Sequence, residues 1–95
     1  MAKTIVVSSK AAVEIRKAAT WYDEQSSGLS LRFMAELDYH FRGMIKYPDS
    51  YKRVDRDIQR CLMKVFPYII YFSVTIDEIV IIRVRHTKRK PLKRF

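Results

Sequence analysis

The sequence predicts an α+β domain of order β-α-α-β-β-β, a helical hairpin packed on a curved antiparallel sheet. Three observations carry this reading. The first half holds two amphipathic stretches of helical period, separated only by Ser26-Ser27-Gly28. The second half holds short runs rich in β-branched and aromatic residues, with turn residues between them. The 95 residues, 48% of them hydrophobic, suffice for one core and one domain, residues 1–95.

Lys3 to Ser8 (KTIVVS) is short and β-branched, so it is expected to be a strand. Ser8 and Ser9 can each offer a side-chain oxygen to the free amides of a following helix, Lys10 to Gln25. Ala11, Ile15, Ala18 and Tyr22 form its buried stripe, while Glu14, Arg16, Lys17 and Asp23 can lie away from it. Gly28 suits a left-handed position after the helix end. A second helix, Leu29 to Tyr47, carries Phe33, Met34, Leu37, Phe41, Met44 and Ile45, and Pro48 ends it. A charged connection follows, with a short strand expected around Tyr51–Val54. Strands are then expected at Ile58–Phe66, Tyr68–Thr75 and Ile79–His86, the turns falling at Phe66-Pro67 and Ile76-Asp77-Glu78.

Charge is placed unevenly. Residues 1–50 hold seven basic and six acidic side chains; residues 51–95 hold twelve and four, within a formal net charge of +9. No acid follows Glu78, while Arg83, Arg85, Lys88, Arg89, Lys90, Lys93 and Arg94 do. Such asymmetry implies an anionic partner: nucleic acid, an acidic protein or a membrane surface. The longest apolar runs are too short to cross a bilayer as a helix, and the N-terminus lacks the pattern of a secretory signal. A soluble cytoplasmic protein without a membrane partner is therefore expected. The lone Cys61 excludes an internal disulfide and a cysteine-based zinc site. No metal or cofactor is expected: Gly28 and Gly43 make no phosphate loop, and Asp55 and Asp57 have no third ligand nearby. Glu36 and Asp38, two apart on a helix, diverge and are read as solvated. His40 is read as a surface or partly buried helical side chain.

His86 stands where the last strand meets the basic end. With Arg83, Arg85 and Arg89 it could meet part of what a nuclease needs, a base and cations around a phosphate. The alternative is a strand-terminal histidine hydrogen-bonded to the backbone. Arg83 and Arg85 alternate along one strand, as Arg60 and Lys64 do along another. If those faces coincide, a cationic surface with Tyr71 or Tyr68 at its margin suits phosphate and base contacts. It equally suits an acidic peptide.

The chain resembles the RelE/ParE superfamily of small bacterial toxins from type II toxin–antitoxin modules. The resemblance rests on Ala11 to Tyr22 in the first helix, Gly28-Leu29, Phe33 to Asp38 in the second helix, the hairpin Arg60 to Val74, and an ending I-x-R-V-R-H-T-K-R-x-P. It implies the fold drawn above and a cognate antitoxin, often acidic and encoded adjacently. Leu62 and Ile69 stand where the RNase branch is usually basic, and Phe95 where it commonly has tyrosine. The H-x-x-R-x-P ending, His86 to Pro91, is similar to the ParE-like branch. The resemblance thus implies a non-enzymatic inhibitor of a large target such as DNA gyrase. Arg83, Arg85, His86, Lys88, Arg89 and Lys90 would contact that target or nucleic acid. The alternative it leaves open is a ribosome-dependent mRNA endoribonuclease, with Arg60, Lys64, Arg83, Arg89 and His86 around the scissile phosphate. A non-toxic basic nucleic-acid or protein-binding domain is the third reading.

Overall fold

The computed structural model describes every residue except 1, 91 and 93. The chain forms β1 (Thr4–Val7), α1 (Ser9–Gln25), α2 (Leu29–Lys46), a 3-10 turn (Pro48–Ser50), β2 (Gln59–Leu62), β3 (Tyr68–Val74) and β4 (Glu78–His86). The order β-α-α-β-β-β is the one expected, and the two helices pack on one face of a four-stranded sheet.

The sheet is mixed rather than wholly antiparallel. Its order is β1-β4-β3-β2, and β1 runs parallel to β4, with Val7 opposite Ile81. β2, β3 and β4 form the expected antiparallel meander. A four-residue strand carries no pattern that distinguishes the two pairings. The long helical connection after β1 sets the outcome, because it carries the chain to the far edge before the meander begins.

Ser8 ties β1 to α1 and to the sheet. Its hydroxyl oxygen accepts the Ala11 N–H (3.1 Å), and the hydroxyl donates to the Ile82 carbonyl (2.8 Å). Replacing Ser8 by alanine removes the cap and leaves that carbonyl without its donor. The expected loss is about 1–2 kcal/mol, read as a lower urea midpoint with unchanged m. Between the helices Gly28 adopts φ +85°, and the Asp23 carboxylate accepts from the Ser30 N–H (2.9 Å) and hydroxyl (2.7 Å).

The core lies between the hairpin and the sheet. Ala11, Ile15, Ala18 and Tyr22 from α1 are buried, as the period predicts. The small side chains of Ala11 and Ala18 let α1 approach the sheet closely. The buried face of α2 is Phe33, Leu37, His40 and Met44, rotated from the predicted stripe so that Met34 is exposed and His40 is inside. Tyr22, Phe33, Phe66 and Tyr68 form an aromatic cluster with several ring centroids 4.8–5.4 Å apart.

Glu36 is not solvated. Its carboxylate reaches the β2–β3 turn and accepts the N–H groups of Lys64, Val65 (3.0 Å) and Phe66 (3.2 Å), and it pairs with His40 Nε2 at 2.6 Å. This explains why β2 ends at Leu62 rather than Phe66: the turn's amides point at one carboxylate instead of a neighbouring strand. The strand expected at Tyr51–Val54 is reduced to a bridge between Arg53 and Gln59.

Candidate functional site

β4 has nine residues and β1 only four, so β1 covers just the first part of one β4 edge. Ser8 N–H donates to the Ile81 carbonyl, and beyond that point α1 turns away. The Val84 N–H points out of the sheet on this side, toward Glu14 (2.9 Å). Antiparallel alternation then turns the Val84 carbonyl and the His86 amide to the same side. A groove of about 830 Å³ runs between this edge and α1. Val13, Ala18, Tyr22 and Val84 contribute apolar surface to it, and Trp21, 54% exposed, belongs to its wall. Lys10, Lys17, Arg85, Lys88 and Arg89 surround that surface with positive charge.

Arg83 lies in the same groove but is already engaged. Its Nε donates to both Glu14 oxygens at 3.2 Å and its Nη2 to Oε2 at 2.8 Å. The hydrogen bonds to Glu14 raise the Arg83 pKa further, against a smaller opposing effect of burial. Glu14 therefore does not lie away from the packed side of α1, as its position suggested. It sits beside Ala11, Ile15 and Ala18 and pairs with the largely buried side chain of Arg83.

His86 makes the backbone contact weighed as its alternative role. The Lys88 N–H donates to its Nδ1 at 3.1 Å, so the neutral ring carries its proton on Nε2. Nδ1 is thereby occupied, and the ring stacks edge-on to Tyr68 with centroids 5.1 Å apart. Arg85 donates to the Lys90 carbonyl (3.2 Å), and the Lys90 side chain is exposed at the end of this turn. Burial raises the Tyr68 phenol above its usual range, and Arg89 partly offsets that.

The five residues a nuclease would need are not gathered. Arg83, His86 and Arg89 line this groove, whereas Arg60 and Lys64 line a different one beside β2. Pairing does set Arg60, Tyr71 and Arg83 in one row across the sheet. Yet Tyr71 is buried, with the Phe95 ring 5.1 Å away, and Tyr68 belongs to the aromatic cluster. Neither offers a free ring at the margin of a cationic face. Among the described residues no group of three His, Cys, Asp or Glu side chains is placed to hold a metal ion.

Sequence reasoning missed the contribution of α1 to the groove. Lys10, Val13, Lys17 and Trp21 recur at helical spacing on a stripe beside the buried one, which is the signal that was there to be read.

A family model described as the ParE toxin of the type II toxin-antitoxin system, parDE, matches residues 5–91. The chain belongs to the ParE toxin family. The match reaches all seven elements of this ParE-family fold, leaving out only Thr4 of β1. A solved chain from the chromosomal ParDE TA system from P. aeruginosa shares the fold with a TM-score of 0.77 at 14% identity, over 90% of this chain and 97% of that one. No curated protein matches this ParE-family chain. No helix among its described residues is long and apolar enough to cross a membrane.

Proposed function

We propose that this ParE-family toxin is held by an acidic segment of a cognate antitoxin in the groove between α1 and β4. We further propose that it acts in the cytoplasm by binding a large target such as DNA gyrase. The observation that carries this reading is the groove itself, where apolar surface and the part of the β4 edge that β1 leaves uncovered are lined by five cations. A segment of opposite charge gains apolar burial and charge complementarity, and one that docks as a strand also reaches the Val84 carbonyl and the His86 amide. The binding reading is favoured over RNA cleavage because Arg83 is committed to Glu14, His86 Nδ1 is occupied, and Arg60 and Lys64 stand elsewhere.

Two measurements test this. Reversing Lys17, Lys88 and Arg89 to glutamate is expected to weaken antitoxin affinity by roughly 10- to 100-fold in isothermal titration, with His86→Ala changing it little. Unchanged affinity after reversal would remove the groove from the interface. For the target, purified toxin is expected to inhibit gyrase supercoiling and leave mRNA intact on translating ribosomes. Cleaved message with untouched supercoiling would overturn the binding mechanism.

A further inference from the structure

The opposite flank carries a second basic groove. It lies between α2 and β2 and shares no lining residue with the first. Lys52, Arg60 and Lys64 line it, and no carboxylate does. Glu36, the nearest acid on α2, is turned into the β2–β3 turn, and Asp38 is paired with Arg42 at 2.9 Å. Gly43 makes room for the Tyr51 side chain that lines this groove: a Cβ there would meet the Tyr51 hydroxyl at 2.6 Å.

The distinguishing feature is Tyr39. Its ring is part of the lining yet 60% exposed; the Lys64 ammonium lies over one face, 5.3 Å from the centroid, and the His40 ring packs edge-on at 5.2 Å, which leaves the opposite face for a base. Lys46 over Tyr47, at 5.6 Å, repeats the pairing at the end of the same helix. An exposed aromatic face beside phosphate-binding cations is the arrangement that stacks unpaired bases. A duplex keeps its bases inside and offers such a ring nothing to stack on. An acidic peptide that added as a strand would find little to bond at this edge. The Arg60 N–H is already taken by the Lys52 carbonyl (2.9 Å), which leaves Leu62 as the last outward-facing residue of β2.

We propose that this groove binds single-stranded nucleic acid, with Tyr39 as a stacking platform and Lys52, Arg60 and Lys64 as phosphate contacts. The site is independent of the antitoxin groove. It involves binding only, with no bond made or broken.

The test is fluorescence anisotropy of the full chain with a labelled 12-nucleotide oligothymidylate, its 12-base-pair duplex counterpart, and polyglutamate as competitor. The oligothymidylate is expected to bind about tenfold tighter than the duplex. Tyr39→Ala is expected to weaken it roughly tenfold, and Tyr39→Phe to retain it. Three phosphate contacts predict a slope of log K on log salt of about −2. The triple variant K52E/R60E/K64E is expected to abolish binding, while the matched triple K3E/R16E/R32E, at residues lining neither groove, stays within about threefold of the parent. Equal loss in the two triples, equal binding of duplex, displacement by polyglutamate at matched charge, or no effect of Tyr39→Ala would each overturn the proposal. Because Tyr39 is exposed, its substitution tests stacking without disturbing the core.

Discussion

Glu36→Ala is expected to cost about 3–5 kcal/mol of stability, a large share of the roughly 5–15 kcal/mol that holds a domain of this size. One carboxylate satisfies three consecutive turn amides and pairs with His40, itself only 5% exposed. Alanine leaves all of them without that partner. Glutamine keeps a carbonyl acceptor but loses the charge, so Glu36→Gln is expected to cost about half as much. Urea unfolding at pH 7 measures both. The effect has a pH signature. Burial alone would raise the Glu36 pKa, but the hydrogen bonds from His40 and the three amides outweigh it, and the net shift is downward. A carboxylate depressed in the fold stabilises above its ordinary value and loses that contribution as pH falls through the folded value. The stability gap between parent and Glu36→Ala should therefore be full at pH 7 and shrink below about pH 4. A gap that is the same at pH 7 and pH 3 would show that the carboxylate charge is not what holds the turn.

The second large effect belongs to Glu14. Glu14→Ala strands Arg83, whose side chain is only 16% exposed, and takes the acceptor from the Val84 N–H. Breaking such a pair from one side is expected to cost about 2–4 kcal/mol, more than the pair itself contributes. The double variant Glu14→Leu/Arg83→Met, which removes both charges and keeps the volume, is expected to recover much of that loss. A double-mutant cycle read by urea unfolding separates the two cases. If the double variant is as unstable as Glu14→Ala, the cost lies in the Val84 amide and not in the arginine. Either way, Arg83 serves the groove by shaping its floor, and the cations presented to a partner are those of Lys10, Lys17, Arg85, Lys88 and Arg89.

These two carboxylates also show where sequence reading stops. The helices are legible because their stripes repeat within one element: Ala11, Ile15, Ala18 and Tyr22 need no knowledge of the rest of the chain. The β3–β4 hairpin is legible for the same reason. Glu36 acts on amides 28 to 30 residues away, and Glu14 on an arginine 69 residues away. Neither partner is marked by local pattern. A partial signal existed for α2, since Phe33, Leu37, His40 and Met44 share one face at i, i+4, i+7, i+11. That spacing puts His40 in the core and Glu36 one turn before it. The basic end of the chain was visible from charge alone. The existence of two separate grooves was not, because that follows from which strand forms each edge of the sheet, and the parallel placement of β1 beside β4 is a long-range outcome.

The shortness of β1 has a consequence for the protein's behaviour in isolation. A strand edge left partly unpaired is a template for self-association, and here it lies beside apolar surface from Val13, Tyr22 and Val84. Two copies meeting edge to edge would bring together two rings of lysine and arginine on chains that each carry +9. Like charge thus acts as a gatekeeper: it keeps identical edges apart while admitting a partner of opposite sign. The protection is electrostatic and so depends on the medium. At molar salt, where charges are screened beyond about 3 Å, that repulsion is lost and self-association through this edge is expected to rise.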